Sequence, residues 1–328
     1  MIAGAVYALI SSIGYSTNAI SMRRAMLKGK ASDGVYVTVL AGLPLFALGA
    51  LVSGQLFRIF DFSPERYAAL IAAGVLHYIV GRYCNYRAIQ AIGANRSRPF
   101  MQTIIVVTLV MAILFLDEEV TGTMWIGIGL IMIGPAVSIK GPRFRKAPDN
   151  GTIVAGGAND GAKTPAAGVA TARSVKDVDA LSTRTLAEGY IFALLNAVVW
   201  GTTPVLIRYG VGGTDMGIVG GLVAYLAAAL LLMPALLSQG LRESLGSIKG
   251  PTAKWLGAAT VSITVGVMFR YLALAAAPVT VVAPVMRATG FVQLPLTYLF
   301  NRHIESFEPR LMAGIVISIV GGLVIVLS

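Results

Sequence analysis

The chain has 328 residues, of which 56% are hydrophobic and only 12% carry a charged side chain. A soluble domain usually has about a quarter charged residues, so this composition excludes an ordinary soluble protein. The net charge of +11 comes from 26 lysines and arginines against 15 acids. Because these charges cluster between long apolar runs, we ascribe the excess to membrane topology and expect no nucleic-acid partner.

Ten apolar runs are each close to the roughly 20 residues that a helix needs to cross the hydrocarbon core of a bilayer. They cover residues 2–22, 34–56, 67–88, 98–116, 122–140, 188–207, 216–237, 252–275, 279–300 and 309–328. The first run is not expected to be a cleaved secretory signal, because its charges follow the apolar stretch and do not precede it. The sequence therefore predicts an all-α integral membrane protein with ten transmembrane helices.

The two halves of the chain repeat each other at a shift of 185 residues, which grows to 187 after an insertion near residues 306–310. Arg23 aligns with Arg208, and Gly81 aligns with Gly266. Each half has an odd number of predicted spans, so the halves must be inverted relative to one another, with a shared site between them. The repeat predicts three segments, namely a first five-helix repeat at 1–140, a flexible linker at 141–186 and a second five-helix repeat at 187–328.

The distribution of lysine and arginine predicts the orientation in the membrane. Most of them lie in the odd-numbered connections between spans, whereas the even-numbered connections hold only Arg58, Arg66 and Arg208. The positive-inside rule then places the odd connections, including the linker, in the cytoplasm and both termini outside it. We expect the protein to lie in a bacterial inner membrane, as a monomer or a homodimer.

Three arginines stand out within predicted spans, where a charge at the bilayer centre costs at least ~2.5 kcal/mol. Arg287 lies about eight residues into its span, roughly 12 Å deep at 1.5 Å per residue, and is the strongest candidate for a functional role. For Arg270, function and structural hydrogen bonding stay open. Arg82 lies nearer the cytoplasmic end, and we expect its side chain to extend to the headgroups.

No aspartate or glutamate lies inside a span, apart from Glu188 at the start of one. A basic site without an acid calls for an anionic group on the substrate, since arginine pairs well with carboxylate and phosphate. The predicted substrate-binding residues are Arg287, Arg270, Gln102, Tyr86, Tyr271, Trp200, Asn18 and Gln293. His77 is a candidate for proton coupling, although a hydrogen-bonded packing role is an open alternative. Pro99 and Pro284 are predicted to break their helices beside the site.

Two further patterns favour structural roles. The acids at 117–119 lie at a turn before the fifth span, where they suit a helix N-terminus, and we expect no metal there. Glycines recur in the fifth and tenth spans, at Gly127, Gly129, Gly134, Gly314, Gly321 and Gly322. Small residues allow close helix packing in lipid, either within the chain or at a homodimer seam.

These features together resemble the drug/metabolite transporter superfamily, and within it the EamA-like ten-helix transporters. The resemblance rests on the duplication, on Trp200 and Gly201 in the sixth span, and on Pro99 and Pro284 at the entries of the fourth and ninth. It implies a substrate cavity near the bilayer midplane, and substrates that range from amino acids to phosphorylated metabolites. It also implies cytoplasmic termini, which conflicts with the charge distribution, and here the charge distribution decides our prediction.

The predicted function is secondary transport, as an exporter or exchanger, of a small anionic or zwitterionic metabolite such as an amino acid, carboxylate or organic phosphate, by alternating access. The alternative is a channel, or a membrane scaffold or receptor-like protein without active transport. An enzyme is not expected, because the chain offers no convergent acids, histidines or phosphate-binding loop. No cofactor is expected either.

Overall fold

A computed structural model describes residues 2–116, 122–138, 182–287 and 289–327 of the chain. Within these ranges the chain is helical, with short connections and no strands. The helices are α1 (Ile2–Ala25), α2 (Ala31–Leu40), α3 (Gly42–Val52), α4 (Pro64–Gly74), α5 (Arg82–Ile92), α6 (Ala94–Gln102), α7 (Ile104–Leu116), α8 (Gly122–Ser138), α9 (Thr183–Val211), α10 (Gly217–Leu232), α11 (Gln239–Gly246), α12 (Gly250–Ala276), α13 (Val279–Arg287), α14 (Thr289–Asn301) and α15 (Pro309–Leu327). A π-helical segment, Val75–Gly81, joins α4 to α5.

The helices fit the prediction of an all-helical membrane protein. Six helical stretches of the described chain are long and apolar enough to span a bilayer, namely Ala31–Val52, Pro64–Ile92, Ala94–Leu116, Thr183–Val211, Gly217–Leu237 and Gly250–Ala276. Trp125–Ser138 and Pro309–Val324 are shorter apolar helices. The prediction of ten spans also includes α1 and the pair α13–α14, which are not among the six. Helix α1 carries serine, threonine, tyrosine and asparagine, and these polar residues lower its hydropathy.

The two halves pack against each other through contacts that come in repeat-related pairs. Helix α1 packs along α12, and its counterpart α9 packs along α4 and α5. In the first interface Ser11 Oγ donates to the Gly266 carbonyl at 2.6 Å, and in the second Asn196 Nδ2 donates to the Gly81 carbonyl at 2.8 Å. Residues 11 and 196, like residues 81 and 266, differ by the repeat shift. Equivalent positions therefore form a hydrogen bond in both interfaces. The donor belongs to the first half in one interface and to the second half in the other.

The glycines of α8 and α15 pack these two helices closely together. A Cβ added to Gly134 would lie 2.6 Å from the Gly314 carbonyl oxygen, and one added to Gly321 would lie 2.7 Å from that of Gly127. The later glycine of each helix thus meets the earlier glycine of the other, so the two helices run antiparallel. These glycines pack within the chain, as the first of the two sequence interpretations expects.

Pro99 precedes an interruption of its helix, as predicted. It lies inside α6, which ends at Gln102, and α7 begins at Ile104. A proline removes one helical N–H and clashes with the preceding turn, which favours a break nearby. Pro284 lies inside Val279–Arg287, and the break predicted after it stays a prediction, because residue 288 lies outside the described residues. The fourth apolar run is therefore built from two helices in sequence.

A helix overlaps the end of the predicted linker. Helix α9 begins at Thr183, so residues 183–186 are helical. Ser182 caps this helix, because its Oγ accepts from the Thr185 N–H at 3.2 Å, which satisfies a free backbone donor. The rest of the predicted linker, residues 141–181, and the acidic turn at 117–119 lie outside the described residues.

Connections that the sequence assigns to one membrane face meet in space. At one end, Arg23 of the first connection pairs with Glu305 of the ninth connection. Glu305 also accepts from the N–H of Ala94, which lies in the third connection. At the other end, Arg58 of the second connection pairs with Asp215 of the sixth. We call these the odd end and the even end.

Candidate substrate site between the two halves

A cavity of about 70 Å³ lies where the two halves meet. It is lined by Tyr15, Asn18, Ala19, Asn85, Arg98, Met101, Ile104, Ile105, Thr108, Trp200, Pro204, Arg270, Leu274, Val282, Ala283 and Met286. Five pairs in this set differ by the repeat shift of 185, namely Tyr15 and Trp200, Ala19 and Pro204, Asn85 and Arg270, Arg98 and Ala283, and Met101 and Met286. Equivalent positions of both halves therefore line the cavity.

The cavity is too small to hold a metabolite in this conformation. Pockets for metabolites and drugs commonly enclose about 300–1,000 Å³, whereas 70 Å³ holds a few water molecules. A metabolite would thus require the surrounding helices to separate. The lining is mostly apolar, and its described polar members include two arginines but no carboxylate.

Arg270 is the most fully buried of these charges, with 4% of its surface exposed. Its Nη2 donates to Thr203 Oγ1 at 2.9 Å, and its Nη1 lies 3.3 Å from the Tyr15 hydroxyl. Nη1 also lies 3.1 and 3.0 Å from the two ring nitrogens of His77, of which the unprotonated one accepts. All these partners are neutral oxygen or nitrogen atoms, and Nε is buried with no acceptor among the described residues.

The π-helical segment positions His77 next to Arg270. A π-helical turn leaves carbonyls off the regular α-helical ladder, and such turns are frequent at functional sites. Here Trp200 Nε1 donates to the His77 carbonyl at 3.0 Å. The Trp200 ring also stacks on the imidazole, with centroids 4.7 Å apart. Tyr15 completes the cluster, since its hydroxyl lies 3.1 Å from His77 Nε2.

The structure places three of the predicted substrate-binding side chains on the cavity, Arg270, Asn18 and Trp200. Asn18 is oriented by α12, because its Nδ2 donates to the Ala259 carbonyl at 3.0 Å. For Gln102 and Arg287 only the backbone is described. Each directly follows a methionine that lines the cavity, Met101 or Met286.

The other three predicted residues lie elsewhere. Tyr86 is fully buried, with its hydroxyl 3.4 Å from Thr38 Oγ1, and Tyr271 is buried edge-on against Phe46. Gln293 is 3% exposed within α14. None of the three is among the residues that line the cavity, and their contact with substrate stays a prediction. Polar residues in a span face a neighbouring helix as readily as a cavity.

Sequence analysis missed Arg98, which supplies a second arginine to the cavity. It precedes Pro99 at the start of a predicted span and was therefore grouped with the charges that set topology. Its repeat partner, Ala283, lines the same cavity. Comparing the two halves position by position next to the paired prolines would have identified it. Each half thus contributes one arginine to the described lining.

The expectation for Arg82 was wrong. Its side chain does not reach the headgroups, because it is 1% exposed and lies in the interior of the helix bundle. Nη1 donates to Thr38 Oγ1 at 3.1 Å, and Nη2 donates to the Tyr225 hydroxyl at 3.0 Å. The guanidinium also lies 5.0 Å from the ring centre of Tyr78. Hydroxyl acceptors and aromatic faces hold this arginine as a structural cation.

These observations define a helical membrane protein whose two similar halves enclose a shared cavity with buried polar groups, an arrangement typical of transporters. A family model for the EamA-like transporter family matches residues 2–139 and 187–327, which are the two halves. The chain belongs to this family, and it is a membrane transporter of the drug/metabolite type. A search of curated proteins found no match.

Proposed function

We propose that the protein is a secondary transporter, an exporter or exchanger, that moves a small anionic or zwitterionic metabolite by alternating access around the central cavity. The observation that carries this proposal is Arg270. It is a buried guanidinium on the cavity, all its described partners are uncharged, and its Nε has no described acceptor. A substrate carboxylate or phosphate would complete its hydrogen bonding and neutralise its charge.

The lining supports a site with several contacts. Arg98 would supply a second positive charge from the first half, and Asn18 and Asn85 would supply amide groups. Trp200 would form an apolar wall. We retain Arg287 as a further candidate, because it directly follows Met286, which lines the cavity, and Gln102 occupies the equivalent position after Met101.

Two inverted repeats of five transmembrane helices are the architecture we propose for this function. The antiparallel packing of α8 on α15 and the paired hydrogen bonds between halves support it. An interrupted helix beside the cavity, such as α6–α7, is typical of transporter sites near the midplane. The odd end carries most of the basic connections, so we place it and the linker in the cytoplasm of a bacterial inner membrane, with both termini outside.

Transport by reconstituted protein tests the proposal. A thermal-shift screen of the purified protein against amino acids, dicarboxylates and organic phosphates would supply the substrate, since a ligand of the folded state raises its stability. Counterflow of that substrate into proteoliposomes should saturate. Arg270→Gln should lower uptake by roughly 10- to 100-fold, because a hydrogen bond to a charged group contributes about 1.5–3 kcal/mol.

Two controls make this result specific. Arg66→Gln removes an arginine that donates to the Gly210 carbonyl at the even end, away from the cavity, and should leave uptake unchanged. Arg270→Lys keeps the charge but loses the planar fork, and should fall between wild type and Arg270→Gln. Unsaturable flux would instead indicate a channel. Wild-type uptake by both Arg270→Gln and Arg287→Ala would overturn the anion site.

The pH dependence of uptake distinguishes the two roles of His77. Its contacts with Arg270, Thr203, Tyr15 and Trp200 favour a positioning role for its ring. We expect His77→Gln to lower uptake while preserving the shape of the pH profile and the response to an imposed pH gradient. Loss of that response in the variant, with uptake retained, would instead assign proton coupling to His77.

A further inference from the structure

A second pocket, separate from the central cavity, opens at the odd end between the two halves. It encloses about 340 Å³ and is bordered by the end of α1, the start of α12 and the end of α14. Its basic lining residues are Arg24, Lys28, Lys249 and His303. No acid is among its described lining residues, so the pocket concentrates positive charge.

Arg24 is held in place at this pocket by contacts on three sides. Its Nε donates to Asn301 Oδ1 at 2.8 Å, and its Nη2 donates to the Phe300 carbonyl. The guanidinium lies 4.7 Å from the ring centre of Trp255. Asn301 is in turn fixed by donating from Nδ2 to the Ile20 carbonyl at 3.1 Å. Arg24 is therefore a preorganised cation whose Nη1 has no acceptor among the described residues.

Lys28 and Lys249 provide mobile charges on either side of Arg24. Both are exposed, and neither makes a hydrogen bond or ion pair within the part of the chain that the structure describes. Because they come from opposite halves, an anion between them would be held by both repeats. An ammonium group without a protein acceptor is free to bind phosphate oxygens.

The pocket also has an apolar side. Leu27, Ile304 and Phe300 line it, and half of the Phe300 surface is exposed. Trp255 lies in the second turn of α12, where tryptophan is typical of a membrane–water interface. A ligand that fits this arrangement has an anionic head and an apolar tail.

We propose that this pocket binds the phosphate headgroup of an anionic phospholipid, with Arg24, Lys28 and Lys249 around the phosphate and Leu27 and Phe300 against the first part of an acyl chain. Basic pockets between transmembrane helices bind anionic headgroups through the same combination of charge and apolar contact. A lipid held here would bridge the two halves at the odd end.

Native mass spectrometry of the purified full-length chain, titrated with phosphatidylglycerol, tests the proposal. The variant Lys28→Gln with Lys249→Gln should weaken binding by about 30-fold, taking the usual contribution of each basic residue near an anionic surface. The matched control is Lys30→Gln with Lys254→Gln, which removes two exposed lysines near the same end that do not line the pocket. The control should bind like wild type.

Three results would overturn the proposal. Equal weakening by both double variants would mean that only general surface charge attracts the lipid. Equal binding of phosphatidylcholine with the same acyl chains would show that the negative charge is not recognised. Displacement of phosphatidylglycerol by glycerol 3-phosphate or inorganic phosphate at similar concentrations would show that the pocket takes a free phosphate. Circular dichroism of both variants, expected to match wild type, excludes unfolding as the cause.

Discussion

Two arginines at equivalent positions of the repeat lie at opposite ends of the molecule and have different partners. Arg23 at the odd end and Arg208 at the even end both donate to repeat-related carbonyls, those of Ile89 at 3.1 Å and Leu274 at 2.9 Å. Arg23 additionally lies with its Nε 2.8 Å from Glu305 Oε1, whereas Arg208 makes no ion pair within the described residues. The odd end thus has an ion pair in addition to the arginine–carbonyl hydrogen bond that both ends share.

Glu305 connects three parts of the odd end. Besides Arg23, it accepts from the backbone N–H groups of Ala94 and Asn95, both at 2.9 Å, and so caps the start of α6. The ion pair is buried, with 5% of the Arg23 side chain and 1% of the Glu305 side chain exposed. Because the N–H of Nε does not point at the oxygen, the contact is an ion pair without a directed hydrogen bond.

The ion pair that joins the halves at the even end is exposed. Arg58 Nη1 lies 2.7 Å from Asp215 Oδ1, with 40% and 79% of the two side chains exposed. Exposed pairs contribute little, whereas separating a buried pair leaves an uncompensated charge. We infer that the odd end is more firmly closed than the even end, because its ion pair is the buried one. Four measurements can test this difference.

Glu305→Gln should have the largest effect. It removes the only carboxylate that the described structure places on Arg23 and leaves that guanidinium buried, so the free energy of unfolding should fall by about 3–5 kcal/mol. Denaturant titration of the detergent-solubilised protein measures it. Glu308→Gln is the control, because Glu308 is 28% exposed where it meets Arg96 and should cost much less. Equal losses in the two variants would contradict a special role for Glu305.

The second largest effect should appear in access to the cavity. Cys84 is the single cysteine, so Cys84→Ser gives a thiol-free chain in which Met101→Cys, on the cavity wall, reports on access. A membrane-impermeant maleimide should label this position faster from the even end than from the odd end. Adding Glu305→Gln should raise labelling from the odd end by about tenfold or more, since each 1.4 kcal/mol corresponds to a factor of ten.

Oriented proteoliposomes allow each end to be tested separately. Asp215→Asn serves as the matched control and should not change labelling from the odd end. If Glu305→Gln raised labelling equally from both ends, the variant would be loosening the whole bundle, and the odd end would not be the specific barrier.

Much of this organisation could be predicted from the sequence, because it depends on local signals. Hydropathy located the long helices, and the repeat shift predicted which residues would be equivalent, as the bonds of Ser11 and Asn196 show. Pro99 indicated the interruption between α6 and α7. Each of these signals depends on neighbouring residues or on an internal copy.

The partners of individual polar side chains could not be predicted in this way. Glu305 meets Arg23 across 282 positions of the chain, and Arg82 meets Tyr225 across 143. Hydropathy and spacing identify a residue as polar and buried but do not tell which helix it will face. For the same reason Tyr86 and Tyr271 were assigned to the cavity, although they pack against neighbouring helices.

Asp215→Asn, at the even end, should have the smallest effect on stability. Arg58 holds the pKa of Asp215 below its usual range, mainly through their hydrogen bond, so the carboxylate is charged at neutral pH and any stabilisation is present there. That stabilisation is lost only as the pH falls through the lowered pKa. Because both side chains are exposed, solvent and salt screen the pair, and at pH 7 we expect the same unfolding midpoint for Asp215→Asn and wild type. A loss comparable to that of Glu305→Gln would show that the even end is held as firmly as the odd end.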